Sequence, residues 1–176
     1  QLDYRATSTE DTVINLTHHS YFNLDGHDGS VLNQEMFVNS DKILEINDEN
    51  IPTGNFTDLS NHDFDFRTTK KCPASIDNSF VISPSSDAIA KLFSTKNNLQ
   101  MSVYTDQPSV HIYVGGNCSD TLIGKENTKY HASSGICFET QNFPDAPNHK
   151  HFPNSILKKG AEYRQKTVYK FQSIES

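Results

Sequence analysis

Two stretches of the chain carry residues that can transfer protons, and the first is Asn15–Leu24. It contains the adjacent histidines His18 and His19 at the end of a predicted strand. Adjacent strand residues point to opposite faces, so at most one of the two is expected to serve a single site. A surface or hydrogen-bonded core histidine is the commoner interpretation. A zinc site would need further ligands at suitable spacing. Four other histidines lie in unrelated loops: His27, His62, His149 and His151.

The second stretch is Ser134–Ala146, in which an apolar strand delivers one carboxylate, Glu139, just before a Pro-Asp loop. The acid follows Phe138 and precedes an amide-rich, neutral segment. Desolvation disfavours a charged carboxylate, so we expect a raised pKa at Glu139. The alternative is a strand-end glutamate that bonds to backbone.

Two further segments combine polar with aromatic side chains, Ile76–Phe80 and Tyr104–Tyr113. The first contains Asp77 and the second contains His111. Such mixtures bind sugars through hydrogen bonds to hydroxyl groups and through ring stacking. Each segment could equally be a turn or the face of a sheet.

The elements that must position these residues are predicted to be strands. Period-two alternation of apolar and polar residues recurs near Leu2–Ala6, Leu99–Val103, Val110–Val114 and Tyr163–Phe171. Turn-forming clusters separate them: Asp25–Gly29, Pro52–Gly54 and Gly115–Asn117. Helical periodicity is almost absent, although Ser85–Ser94 could hold one short turn around Ile89. The pattern predicts an all-β sandwich or barrel that forms a single domain over residues 1–176, without an internal boundary.

Composition narrows the possible partners and the compartment. A formal net charge of -7 disfavours nucleic acid, and no apolar run of about 18 residues could span a membrane. Cys72, Cys118 and Cys137 are odd in number and widely spaced, which indicates reduced thiols in a cytoplasmic protein. Glycosylation sequons at Asn15, Asn55 and Asn117 do not settle the compartment, because such short matches often arise by chance.

Several collinear motifs resemble those of the aldose 1-epimerases, and together they run from about Leu2 to Phe171. They are NLTxHSYFNL at Asn15–Leu24, IPTG at Ile51–Gly54, DFR at Asp65–Arg67, the Asp77 segment, YTxQP at Tyr104–Pro108, ETQxxPDAxN at Glu139–Asn148 and FPxxxLKxGxEY at Phe152–Tyr163. The resemblance implies a β-sandwich of the galactose-mutarotase type, a supersandwich. It also implies that the chain is the carboxyl-terminal part of the enzyme, and that the missing amino-terminal segment is a partner needed for folding and activity.

The same resemblance implies roles for five residues. His19 corresponds to the family's general acid and Glu139 to its general base, while Asp77 corresponds to the aspartate that binds substrate hydroxyls. His111 stands where the family usually has a sugar-binding glutamine, so it is an altered contact. Tyr21 is a further candidate for substrate binding.

The implied reaction is the interconversion of the α and β anomers of a free aldose such as glucose or galactose. It needs no cofactor and no metal, and the histidine–carboxylate pair implies a rate optimum near neutrality. A different class stays open, namely a sugar-binding module that has kept the fold and lost turnover. A third possibility is a purely structural β-domain of a larger carbohydrate enzyme.

Overall fold

The computed structural model describes residues 1–83, 85–115 and 121–174, and of Leu122 only the backbone. Over these residues the chain forms sixteen β-strands and three 3₁₀ helices of one turn each, at Val31–Asn33, Lys125–Asn127 and Ala146–Asn148. The strands are β1 (Leu2–Thr7), β2 (Thr12–Val13), β3 (Tyr21–Phe22), β4 (Glu35–Val38), β5 (Lys42–Ile46), β6 (Pro52–Asp58), β7 (Lys70–Lys71), β8 (Ile76–Val81), β9 (Ala90–Ser94), β10 (Leu99–Thr105), β11 (Ser109–Val114), β12 (Leu122–Ile123), β13 (Lys129–Tyr130), β14 (Ile136–Gln141), β15 (Ile156–Leu157) and β16 (Glu162–Ser173).

Two six-stranded sheets dominate the architecture. The first has the strand order β1-β16-β10-β9-β4-β7 and the second has the order β3-β14-β11-β8-β5-β6. The short pairs β12-β13 and β15-β2 stand apart from them. Each pairing recorded among the described strands is antiparallel. The four strands predicted from alternation are confirmed as β1, β10, β11 and β16.

The main core lies between the two sheets, because each sheet turns one apolar face inward. The first sheet contributes Met36, Leu92, Met101 and Val103, all with no measurable exposure, and the second contributes Phe80, Val110, Ile112 and Phe138, equally buried. This arrangement confirms the predicted all-β sandwich. It also leaves the opposite face of the second sheet available for polar side chains, since strand residues alternate between faces.

One weak helical signal is not realised, and one predicted turn was wrong. No helix forms in the described part of Ser85–Ser94, because Ile89 and Ala90 are buried in the sandwich core and Ala90 begins β9. Pro52–Gly54 is not a turn but the start of β6. Gly54 has φ +92° there, next to a register shift between β5 and β6, and a Cβ at this position would lie 2.6 Å from His149 Nδ1. The glycine therefore serves a close backbone approach within a strand.

Other sequence predictions concern turns, thiols and membranes. Asp25–Gly29 is confirmed as a turn region. Cys72 and Cys137 are buried and neither forms a disulfide within the described residues, whereas Cys118 and Asn117 lie outside them. Among the described residues, no helix has both the length and the apolar character that a membrane crossing requires.

Candidate active site

Three central strands of the second sheet present polar side chains on the face that points away from the core. His111 of β11 lies opposite Glu139 of β14 and opposite Ser79 of β8. Tyr113 lies opposite Cys137 and Asp77 in the same way. Side chains directly opposite each other on one face of an antiparallel pair have Cβ atoms about 4.5–5.5 Å apart. The pairing register alone therefore brings these residues together.

The segment that carries His19 is held against β14 by its own side chains. Asn15 Nδ2 donates to the carbonyl of Asn142 at 3.0 Å, and the amide of Asn142 donates to Asn15 Oδ1 at 2.9 Å. The hydroxyl of Thr17 donates to the carbonyl of Thr140 at 3.1 Å. These three bonds explain how Asn15–Leu24 reaches Glu139, which is 120 residues further along the chain than His19. We call this set of bonds the Asn15 clamp.

An open cleft of about 230 Å³ results, lined by His19, Asp77, His111, Tyr113, Glu139, Gln141 and Pro144. Four of the five residues predicted for the site are among them. Tyr21 is not in this lining, but its ring lies 5.3 Å from that of His19 and 6.2 Å from that of Tyr113. The half-exposed ring of Tyr21 thus flanks His19 at the edge of the cleft.

His19 and Glu139 form the pair best suited to acid–base chemistry. His19 Nε2 lies 3.3 Å from Glu139 Oε1, and the side chain of His19 is 51% exposed whereas that of Glu139 is 9% exposed. One partner therefore faces the cleft and the solvent, and the other is set into its floor. The second ring nitrogen, Nδ1, lies 3.4 Å from Cys137 Sγ, so both sides of the imidazole are contacted.

Burial raises the pKa of Glu139 above its ordinary value, while the positive charge available at His111 and His19 lowers this pKa in part and Asp77 raises it further. The prediction of a raised pKa is confirmed, with desolvation as its largest cause. A carboxylate whose pKa lies closer to neutrality is a better match for transferring a proton near pH 7.

Asp77 and His111 form a second pair at the mouth of the cleft. His111 Nε2 lies 2.7 Å from Asp77 Oδ1, and His111 Nδ1 lies 2.9 Å from the hydroxyl of Ser79. The Asp77 carboxylate is 57% exposed and the imidazole is 19% exposed. The carboxylate is thus oriented by the histidine and still open to a ligand.

His18 belongs to a different environment, as expected for neighbours along an extended chain. Its Nε2 lies 3.0 Å from the hydroxyl of Ser20, and its ring packs 5.5 Å from that of Tyr169 and 6.4 Å from that of Phe22. The two adjacent histidines therefore diverge, and only His19 faces the cleft.

Sequence reasoning missed Cys137, Tyr113 and Gln141 as residues of this face. Period two on one strand could have found them, since Cys137 and Gln141 flank Glu139 at two residues and Tyr113 follows His111 at two residues. The sequence indicated only that Cys137 is a reduced thiol, whereas the structure shows that it contacts His19 directly. Tyr104, from the same predicted segment as His111, instead lines a cleft of about 570 Å³ on the first sheet.

The fold and the site define an all-β protein with a carboxylate–imidazole pair in an open polar cleft, and comparison with known proteins identifies the family. The family model for aldose 1-epimerase matches residues 1–170. The chain belongs to the aldose 1-epimerase family.

Individual relatives agree with this assignment. The galactose mutarotase of Bos taurus is 34% identical over 181 residues, which cover 97% of this chain and 53% of the relative. The aldose 1-epimerase of Escherichia coli (strain K12) is 29% identical over 187 residues, or 97% of this chain and 54% of the relative. The chain therefore spans about half the length of the curated relatives it matches, corresponding to their carboxyl-terminal part.

Two solved structures share the fold. A GalM/aldose epimerase homologue from C. elegans superimposes with a TM-score of 0.86 at 29% identity, over 98% of this chain and 55% of that one. The galactose 1-epimerase from Lactobacillus acidophilus superimposes with a TM-score of 0.83 at 22% identity, over 98% of this chain and 53% of that one. The predicted galactose-mutarotase-like sandwich is confirmed.

Proposed function

We propose that the protein is an aldose 1-epimerase that interconverts the α and β anomers of a free aldohexose such as glucose or galactose. The observation that carries the proposal is the contact of 3.3 Å between His19 Nε2 and Glu139 Oε1 inside the polar cleft. Relatives named galactose mutarotase and aldose 1-epimerase support it. Those names do not favour the alternative of a sugar-binding module without turnover.

The proposed mechanism follows from the chemistry of a cyclic hemiacetal. Glu139 removes the proton from the anomeric hydroxyl group while protonated His19 donates a proton to the ring oxygen, and the C1–O5 bond breaks. Rotation about C1–C2 presents the other face of the carbonyl group. Ring closure with the two residues in exchanged roles gives the opposite anomer. Each well-placed acid or base contributes about 10²–10⁴-fold to the rate.

Sugar binding is assigned in this proposal to the residues that surround the pair. The exposed carboxylate of Asp77 accepts hydrogen bonds from sugar hydroxyl groups, and His111 orients it through the contact of 2.7 Å. Tyr21 supplies an aromatic surface next to His19. Only protons move and one C–O bond breaks and re-forms, so we propose that no cofactor takes part.

The active unit is proposed to be larger than this chain. Since the relatives extend well beyond the matched half, we propose that residues corresponding to their amino-terminal part complete the substrate site and cover the sandwich. Residues 1–176 are then part of one epimerase domain without an internal boundary.

A cytoplasmic location is part of the same proposal. Cys72 is a buried thiol that forms no disulfide with another described residue, as in a protein that keeps its cysteines reduced. The amide nitrogen of Asn15, which a glycan would modify, is engaged in the Asn15 clamp. Neither feature suits a glycosylated, disulfide-bonded secreted chain.

The test is a polarimetric assay of fresh α-D-glucose and α-D-galactose with the protein that carries this chain. We expect accelerated mutarotation that falls by about 10²–10⁴-fold in Glu139→Gln. Glu49→Gln, at an exposed position in the turn between β5 and β6 and outside the lining of the cleft, is the matched control and keeps the full rate. No acceleration by the intact protein, with its fold verified by circular dichroism, would reject the epimerase proposal.

A further inference from the structure

Three side chains of the kinds that bind transition metals meet at the cleft: His19 and Glu139 line it, and Cys137 lies buried beside them. One potential ligand atom from each lies within 4.8 Å of the other two. Cys137 and Glu139 are two residues apart on β14 and so share a face of the sheet. His19 is delivered to them by the Asn15 clamp. The convergence is thus built into the fold rather than into one loop.

The distance from His19 to each of its two partners is close to the separation of two ligands in a tetrahedral zinc centre, although each partner meets a different ring nitrogen. Bonds of about 2.3 Å to sulfur and about 2.0–2.1 Å to nitrogen or oxygen require ligand separations of about 3.6 Å for an S–N pair and about 3.4 Å for an N–O pair. The observed separations are 3.4 Å between Cys137 Sγ and His19 Nδ1, and 3.3 Å between His19 Nε2 and Glu139 Oε1.

One nitrogen must serve both partners, and this requires the imidazole to turn. The side chain of His19 is 51% exposed, so the ring has room to rotate towards the open cleft. Such a rotation also uncovers Cys137, which is otherwise completely buried beside it. Cys137 and Glu139 already share one face of β14, and their ligand atoms lie within 4.8 Å of each other.

We propose that His19, Cys137 and Glu139 form a binding site for a thiophilic divalent cation, Zn²⁺ or Cd²⁺, with water in the fourth position. A thiolate with an imidazole and a carboxylate selects such ions over Mg²⁺ and Ca²⁺, which prefer oxygen ligands. Three protein ligands with one open position is the usual set of an accessible zinc site. Binding releases the thiol proton of Cys137 to solvent, and no group is oxidised or reduced.

A bound cation inhibits epimerisation, because it coordinates the Glu139 oxygen and the His19 nitrogen that would otherwise transfer protons. This consequence rests on the proposed function, whereas the binding of the ion does not. The site therefore gives the protein a sensitivity to thiophilic metals that its reaction does not require.

Cobalt(II) tests metal binding independently of epimerisation, because a thiolate ligand of Co²⁺ produces a charge-transfer band in the near ultraviolet. We expect one Co²⁺ per chain with such a band, displaced by one equivalent of Zn²⁺. Cys137→Ser should abolish the band and weaken Zn²⁺ binding at least about tenfold, since loss of even an outer-shell partner costs about 10–100-fold.

Cys72→Ser is the matched control. Cys72 is buried in the main core, where burial keeps it a thiol, so this variant should retain the band and the affinity. His19→Ala is a second test if Cys137→Ser does not fold, and it should also weaken Zn²⁺ binding. A cobalt spectrum without a thiolate band, or equal Zn²⁺ affinity in folded Cys137→Ser and the parent protein, would overturn the site.

Polarimetry on the same samples then tests whether the bound cation inhibits mutarotation. If Zn²⁺ binds through Cys137 and stops mutarotation in proportion to occupancy, the site and the catalytic roles are both supported. If Zn²⁺ binds through Cys137 while mutarotation continues, the metal site stands and the roles proposed for His19 and Glu139 fail.

Discussion

His111 Nε2 lies 2.7 Å from Asp77 Oδ1, so a strand in the middle of the sheet orients a carboxylate at the mouth of the cleft. The other ring nitrogen of His111 lies 2.9 Å from the hydroxyl of Ser79, which holds the imidazole plane. Asp77 and Ser79 are two residues apart on β8, and both face His111 across the same ladder. One histidine thereby links two side chains of the neighbouring strand.

Replacing His111 should therefore weaken sugar binding more than turnover. His111→Ala leaves Asp77 without its orienting partner, and we expect KM to rise roughly five- to tenfold with a smaller change in kcat, because a charge-assisted hydrogen bond at a partly exposed carboxylate is lost. His111→Gln can still donate to Asp77 and should recover most of the loss. Initial polarimetric rates over a range of sugar concentrations measure both constants. A fall in kcat at constant KM would contradict the orienting role.

The catalytic pair should behave as one unit in kinetics. His19→Gln and Glu139→Gln should each lower kcat about 10²–10⁴-fold. The kcat of the double variant should be close to that of the slower single variant. The physical reason is that epimerisation needs a proton donor and a proton acceptor at the same time. Rates are to be measured after chelator treatment. Multiplicative losses in the double variant would show that the two residues act independently.

The acid limb of the rate profile should report Glu139. The base must be ionised, and because burial raises its pKa above the ordinary value, the rate should begin to fall at a higher pH than for an exposed glutamate. Measuring kcat/KM at decreasing pH locates this limb. A rate that stays flat down to the pH at which ordinary glutamates titrate would argue against Glu139 as the base.

The same pKa shift has a consequence for stability. The folded-state pKa of Glu139 is raised, so the protonated group favours folding below its unfolded-state pKa, and this contribution disappears as the pH rises through the folded-state value. Glu139→Gln removes a buried charge at high pH, so its gain in Tm over the parent should be larger at pH 8 than at pH 4. Thermal unfolding at the two pH values measures this, with Glu49→Gln as the control. Equal differences at both pH values would refute the explanation.

The Asn15 clamp should matter both for stability and for rate. Asn15→Ala removes one donor and one acceptor that meet the backbone of Asn142, and we expect a loss of about 1–2 kcal/mol in the free energy of unfolding. The rate should fall as well, because His19 lies four residues after Asn15 and loses its fixed position. Urea unfolding and polarimetry give the two values. Asn55→Ala, at an exposed sequon, should change neither, and an unaltered rate in a destabilised Asn15→Ala would separate the clamp from catalysis.

The sequence determined four of the strands, the all-β sandwich and the identity of the main acid and base candidates. Alternation at period two is a local property, so β1, β10, β11 and β16 could be predicted directly from the sequence. The apolar strand before Glu139 was enough to predict the raised pKa of this residue. The sequence motifs indicated the family. Local signals failed where long-range packing decided the conformation: Ile89 lies in the sandwich core rather than in a helical turn, and Gly54 serves a close contact inside a strand.

Only the tertiary structure decided which residues meet. Strand register places His111 opposite Glu139 and Tyr113 opposite Cys137, and no local pattern contains a register between strands that are distant along the chain. The side-chain bonds of Asn15 and Thr17 bring His19 across more than a hundred residues to β14. A single sequence shows which proton donors and acceptors are present. The distances between them are set only in the folded sheet, because burial of its apolar face against the core selects one register of strand pairing among many.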